Sequence, residues 1–165
     1  MVPVCLDCAP AYALEKAKKK RKAKQVEKKR ATKLNDRAYL VKRAQFYCNK
    51  WVRLRDEGKS CVSCGTTDAK FHAGHYRPTS SSPEHRFNEY NLAAQCPQCN
   101  LFKSGNLTEY RKELINRIGL QHVEHLESKT PTQKLDCADL LEIIEYYKGK
   151  IKAKENPLDH KGKAG

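Results

Sequence analysis

No run of residues in this chain is apolar enough, for long enough, to cross a membrane; such a span needs about 20 consecutive apolar residues, and no stretch here approaches that. The opening Met1-Val2-Pro3-Val4-Cys5 is not a signal peptide. Acidic residues are scarce: 19 Asp and Glu face 33 Lys and Arg, for a net charge of +14. No internal repeat is visible. With 165 residues and a hydrophobic fraction of 39%, the chain reads as one compact domain with appendages and a modest core. These absences point away from membranes and secretion and toward the cytoplasm. In that compartment eight cysteines read more naturally as metal ligands or reduced thiols than as disulfides.

Much of the positive charge is local. Residues 15–30 carry ten Lys and Arg, Lys18, Lys19, Lys20, Arg21 and Lys22 among them, against Glu15 and Glu27. A run of this kind attracts polyanions through counterion release without reading sequence. It has no aromatic or apolar stripe, which argues against a membrane surface and for nucleic acid. Residues 11–34 contain no Gly or Pro and favour helix while offering little to bury. An extended basic helix is expected there, with a solvated arm as the plainer reading.

Asn35-Asp36 interrupts that helix and can cap a second one over about 37–57, whose face would be Val41, Ala44, Cys48, Trp51 and Val52, with Gly58 as its stop. Residues 59–103 read as short strands, turns and knuckles, with a strand from Lys70 to Tyr76. A third helix is expected from Leu107 to Ile118, capped by Asn106 or Thr108 and stopped by Gly119. A short helical piece follows at 120–127, and a last helix spans about 134–154. Cys48 and Cys137 have no nearby Cys or His and read as buried thiols.

Two Cys-x2-Cys pairs, Cys61/Cys64 and Cys96/Cys99, bracket 31 residues. Four thiolates so spaced suit one tetrahedral zinc ion. Gly65 fits the tight backbone angle after the second thiolate, and Pro97 suits the first turn of a helix carrying Cys96 and Cys99. A four-thiolate site leaves no position open for water, so this zinc would be structural. Any catalysis then falls to other residues. Cys5-x2-Cys8 supplies only two ligands. It is half of a site, part of a site shared between chains, or neither.

Phosphodiester hydrolysis needs a base to take a proton from water, and positive charge to stabilise the five-coordinate phosphate. A histidine can be the base, and a divalent ion held by oxygen ligands can supply the charge. The order Cys-x2-Cys, Ala73-Gly74-His75-Tyr76, Asn91-Leu92, Cys96-x2-Cys99-Asn100, Lys103 resembles the HNH, or His-Me finger, nuclease motif set in a double zinc knuckle. That resemblance implies His75 as base, Asn91 as orienting residue and Asn100 as ligand of a catalytic Mg²⁺ or Mn²⁺. Many members carry an acidic or His ligand just before the base, where this chain has Gly74. His72 is the nearest substitute and Asp68 a more remote one. Residues three apart on a regular strand face opposite sides, so His72 would need a bulge to join His75. His85, His122, His125 and His160 read as surface or packing residues.

A closer resemblance rests on Cys61-Val62-Ser63-Cys64-Gly65-Thr66, Ala73-Gly74-His75-Tyr76-Arg77, Arg86-Phe87-Asn88-Glu89-Tyr90-Asn91, Cys96-Pro97-Gln98-Cys99-Asn100, Lys103-Ser104-Gly105-Asn106 and the run Tyr110 to Gly119. Together these are similar to the NinG/Rap family of phage recombination proteins, over roughly residues 36–150. In that family a basic helix follows a four-cysteine cluster, of which only the last pair, Cys5 and Cys8, stands here. The family implies a structure-specific endonuclease acting on branched recombination intermediates, Holliday junctions and D-loops, in the bacterial host cytosol.

The expected fold class is α+β, mostly helical. A small zinc-stapled ββα-metal core (HNH, treble-clef-like) is flanked by helices. The expected divisions are a basic arm over 1–35, a nuclease domain over 36–155 and a loose tail over 156–165. Arg77, Arg86 and Lys103 are expected to hold the DNA backbone near the motif. Symmetric cutting of a two-fold junction would favour a homodimer. The alternative function is a non-catalytic zinc-stapled DNA- or RNA-binding protein.

Overall fold

The computed structural model describes residues 9–129, 131 and 134–156. Cys5, Cys8 and the tail from 157 lie outside the described residues. The elements are helices α1 (Ala9–Leu34), α2 (Arg37–Arg55), α3 (Leu107–Ile118), α4 (Leu120–Glu127) and α5 (Cys137–Glu155), strands β1 (His72–His75) and β2 (Leu92–Gln95), and a single π turn, Gln98–Phe102. Two one-turn 3-10 segments, Pro83–His85 and Glu89–Asn91, connect the strands. No helix among the described residues is long and apolar enough to cross a membrane.

Helix α1 forms mainly by propensity, helped by the Glu15–Lys19 ion pair at 2.8 Å and by Lys33 over the ring of Tyr39 in α2. Residues 11–34 are exposed along their whole length. Asp36 then caps α2, its carboxylate accepting from the Tyr39 N–H at 3.1 Å. Helix α2 buries Leu40, Ala44, Cys48 and Val52, a stripe at strict four-residue spacing. The buried face is therefore turned from the expected one: Leu40 takes the central place, while Val41 and Trp51 are only half-buried. The reason is α5, which presents Leu140, Ile144, Tyr147 and Ile151 along the same groove. Full burial of each such aliphatic side chain contributes about 1.5–3 kcal/mol. Helix α5 begins at Cys137, three residues later than expected. Asp136 and Asp139 form a reciprocal capping box there, at 2.9 and 2.8 Å.

The two strands pair antiparallel, with His72 opposite Gln95, Ala73 opposite Ala94, Gly74 opposite Ala93 and His75 opposite Leu92. The register is regular, with no bulge, and the strand is shorter than the expected 70–76 because its partner is only four residues long. One face, carrying Ala73 and Leu92, packs on Cys48, Val52 and Tyr147 of α2 and α5. On the other face Ala93 and the adjoining Tyr76 pack on Tyr110, Leu114, Val123 and Leu126 of α3 and α4. The hairpin thus lies between two helix pairs. Asp56, just past α2 and 2% exposed, ties the layers together. It accepts from Arg55, Lys59 and the Ala94 N–H of β2. Burial raises its pKa, but these donors outweigh that and hold it below the usual carboxylate range.

Candidate active site

The four paired cysteines converge. The Sγ atoms of Cys61, Cys64, Cys96 and Cys99 all lie within 4.8 Å of one another, and those of Cys64 and Cys96 are 3.7 Å apart. Tetrahedral zinc with thiolates at about 2.3 Å separates its sulfurs by about 3.8 Å, so the cluster could hold a metal such as zinc. The backbone reaches this geometry as expected at Gly65, which adopts φ +75°. The helix expected at Pro97 is instead one π turn, in which the Lys103 N–H reaches back to Gln98 O at 3.1 Å. Donors aim at the sulfurs: Cys96 N–H to Cys61 Sγ, Cys99 N–H to Cys96 Sγ and Asn106 Nδ2 to Cys99 Sγ. Asn106 stands at the start of α3 with a left-handed backbone, and it makes no side-chain cap; its amide serves the cluster instead. Burial raises the Cys61 thiol, but its N–H donors prevail and bring it down to about 7. Burial and then the neighbouring Cys64 push Cys99 up to about 12. A dication relieves the cost of crowding such groups as thiolates.

His75 sits at the end of β1, half-buried. Its Nε2 is 3.1 Å from Arg86 O. A carbonyl only accepts, so Nε2 carries the hydrogen and Nδ1 keeps the lone pair. Burial lowers the pKa of His75 below its ordinary value; the Arg86 carbonyl opposes this and the Arg86 guanidinium adds to it. Burial thus favours the neutral ring, in which Nδ1 is the acceptor nitrogen.

Asn91 is fully buried. Its Oδ1 accepts from the Arg77 N–H at 2.7 Å, and its Nδ2 donates to Arg77 O at 3.1 Å and His85 O at 3.0 Å. One amide thus clamps both backbone groups of Arg77, two residues past His75. The Tyr76 N–H to Asn91 O bond, 2.9 Å, extends the hairpin by one rung.

Asn100 meets His72, Asn100 Nδ2 lying 3.2 Å from His72 Nδ1. Alternation along β1 puts His72 and Gly74 on the α3 face and His75 on the α2 face. The structure therefore brings His72 and Asn100 together and joins His75 to Asn91 through the backbone, as two pairs on opposite faces of an edge strand. No bulge carries His72 to His75's side; Asn100 comes to His72 instead. An amide N–H only donates, so as placed the Asn100 amide hydrogen-bonds the His72 ring nitrogen, and the Asn100 carbonyl oxygen is the atom of the pair left to accept or ligate.

Gly74 has a steric reason. A Cβ there would lie 2.2 Å from Gln95 Oε1 and 2.9 Å from Gln95 Cβ. Gln95 is itself fully buried and donates to Ser63 Oγ at 2.7 Å and Gly105 O at 2.5 Å. No side chain fits at position 74 while Gln95 holds that place.

Of the expected backbone-binding residues, Arg77 and Arg86 are half-buried and Lys103 is exposed. Lys18, Lys19, Lys20, Arg21 and Lys22 are exposed on α1. His85 is buried, the packing alternative of its reading. The sequence reading missed Arg53 and Lys70, which with His72, Asp56 and Glu57 line a cleft of about 470 Å³ at the end of α2. It also missed Asp56 and Gln95. None of these lies in a recognisable motif; only the fold assembles them.

A family model described as "Bacteriophage Lambda NinG protein" matches residues 8–157. Protein ninG of Escherichia phage 933W is 44% identical over 124 residues, covering 74% of this chain and 62% of that protein. Protein ninG of Escherichia phage lambda is also 44% identical, over 74% of this chain and 61% of its own length. Protein ninG of Salmonella phage P22 is 42% identical over 120 residues, 72% of this chain and 59% of its own. The chain thus spans about three fifths of the length of these relatives. No solved structure matches it.

Proposed function

The chain belongs to the bacteriophage NinG family, and from that premise we propose that it is a metal-dependent endonuclease that hydrolyses phosphodiesters in branched recombination intermediates such as Holliday junctions and D-loops. The observation that carries this reading is the Asn91 clamp beside His75. A fully buried amide bonds both backbone groups of Arg77, two residues past His75, and ties them to His85 O in the connecting loop. It holds the chain beside His75 in place, which is the preorganisation a general base needs.

In this reading His75 Nδ1 takes the proton from the attacking water, and the Nε2–H bond to Arg86 O fixes the tautomer and then stabilises the imidazolium. Asn100 and His72 are the residues that would hold Mg²⁺ or Mn²⁺, which when bound supplies charge to the phosphate and leaving oxygen. The four-cysteine zinc is structural. Arg77, Arg86 and Lys103 hold phosphates near the cut, and the basic face of α1 adds sequence-independent affinity. Two-fold junctions would be cut by a homodimer, in the host cytosol.

A second reading, a zinc-stapled DNA-binding module without catalysis, is favoured by Gln95. That residue fills the place of the ligand expected at position 74. Incubation with a labelled four-way junction and a matched linear duplex, with and without Mg²⁺ or Mn²⁺, separates the two. The nuclease reading expects metal-dependent cuts in the junction, and His75→Ala should remove them while junction affinity and zinc content hold. Tight junction binding without cleavage under either metal, or full cleavage by His75→Ala, would sink it.

A further inference from the structure

Leu101 and Phe102 are 61% and 74% exposed, and Phe102 is the most exposed of the large hydrophobic side chains among the described residues. Single exposed apolar residues are ordinary. This pair is set apart by its mounting and its place. It occupies the last two positions of the π turn, directly after Asn100 and directly before the exposed Lys103. The turn is tied down at both ends. Cys99 anchors it in the thiol cluster, Lys103 N–H closes onto Gln98 O, and Gly105 N–H bonds Cys99 O at 2.9 Å. Gly105 O accepts from the buried Gln95 amide. Ser104 and Asn106 both hold left-handed backbone, at φ 48° and 45°, a conformation that non-glycine residues adopt at a cost. Two large apolar side chains are thus held in water on a fixed platform beside the His72–Asn100 pair.

We propose that Leu101 and Phe102 form a stacking wedge that enters the open base step at a branch point, with Lys103 on the adjoining phosphate. The inference rests on the nucleic-acid reading above and names the feature of the substrate that the site selects. The base step at a branch point is weakly stacked and a wedge parts it at little cost; a continuous duplex parts only after paying the full cost of unstacking. Base faces rather than a second copy are the occupant because of charge. The chain carries +14, and an isologous contact through this tip would set Lys103 near its own copy, whereas DNA complements it.

The test uses the full zinc-loaded chain without added Mg²⁺ or Mn²⁺, so that binding is read without cleavage. The probes are a four-way junction carrying 2-aminopurine at the branch and a linear duplex carrying it internally. Wild type should raise the junction emission and leave the duplex emission flat. Phe102→Ala should abolish the rise and weaken junction binding on the order of tenfold, with duplex affinity within about twofold; Phe102→Trp should restore junction binding. Zinc content and melting point should not move, since the side chain is exposed. Unchanged emission and affinity in Phe102→Ala overturn the wedge, as does equal loss on both DNAs. A dimer that Phe102→Ala splits in sedimentation, with junction emission intact, also overturns it. Absence of cleavage under Mg²⁺ with the emission rise intact defeats the nuclease reading alone, and binding to neither DNA defeats both.

Discussion

Replacing Gly74 by Ala adds one methyl group, and the structure says where it goes. The new Cβ would lie 2.2 Å from Gln95 Oε1, 2.9 Å from Gln95 Cβ and 3.0 Å from Gln95 Cδ. The backbone at Gly74 is ordinary extended strand, so the whole effect is steric. Gln95 cannot retreat freely. It is fully buried, its amide nitrogen holds Ser63 Oγ and Gly105 O, and Gly105 in turn bonds Cys99 of the thiol cluster. Overpacking costs about 1–3 kcal/mol, and a buried hydrogen bond broken by the shift costs about 1–3 kcal/mol more. A loss of roughly 2–6 kcal/mol is expected, out of a stability on the order of 5–15 kcal/mol. For a domain of this size that lowers Tm by about 10 °C. Urea unfolding at fixed, saturating zinc measures it. The double variant Gly74→Ala/Gln95→Ala supplies the control. If the clash is the cause, the second change recovers at least about 1 kcal/mol of the sum of the singles. A Gly74→Ala variant within about 0.5 kcal/mol of wild type, or strict additivity in the pair, would refute the reasoning and reopen position 74 to a metal ligand.

Cys99→Ser should abolish stoichiometric zinc binding and the cooperative melt, because a structural zinc contributes on the order of 10 kcal/mol; helicity and melting point that survive zinc removal would count against a structural metal. The pH profile of junction cleavage should rise through a point below 6.5 and stay flat across neutrality, because burial lowers the pKa of His75 and the base must be deprotonated; a profile still rising above pH 7 would show that another group is the base. Glu127 is held down to about 2, first by Arg111 and then by Tyr76, against the opposing effect of burial. Its stabilisation is full above about pH 4.5 and is lost as pH falls toward 2. Glu127→Gln should flatten the acid limb of stability in that window, and an unchanged limb would remove the ion pair from the account.

The helices were legible where a capping signal and an apolar period agreed. Leu107–Ile118 lies where Asn106 and Gly119 put it, although Asn106 turns its amide to Cys99 instead of capping. The face of α2 was misjudged by one residue because Leu40 and Val41 are equally apolar, and only the line of α5 decides between them. The thiol cluster was legible from spacing alone, since two knuckles have few ways to place four sulfurs. Gln95, Asp56 and Tyr110, whose hydroxyl donates to Gly74 O at 2.9 Å, were not legible. Each acts on a backbone atom far away in sequence, and no local pattern marks it.

Strand parity was readable in advance and carries a consequence that the π turn completes. His72 and His75, three apart on an unbulged strand, must face opposite sides. A base and a cation ligand on opposite faces cannot both line one pocket in the sheet's interior. They can serve one phosphate only at the rim of the sheet, where the faces meet. Strand β1 provides that rim, because among the described residues its one hydrogen-bonded neighbour strand is β2. The π turn then decides which side the second ligand joins, and Asn100 joins His72. On the nuclease reading, the substrate backbone therefore runs along the open edge of β1, with His75 on its α2 side and His72 and Asn100 on its α3 side. Lengthening the sheet by a strand paired to β1 would block cleavage without touching any of the three side chains.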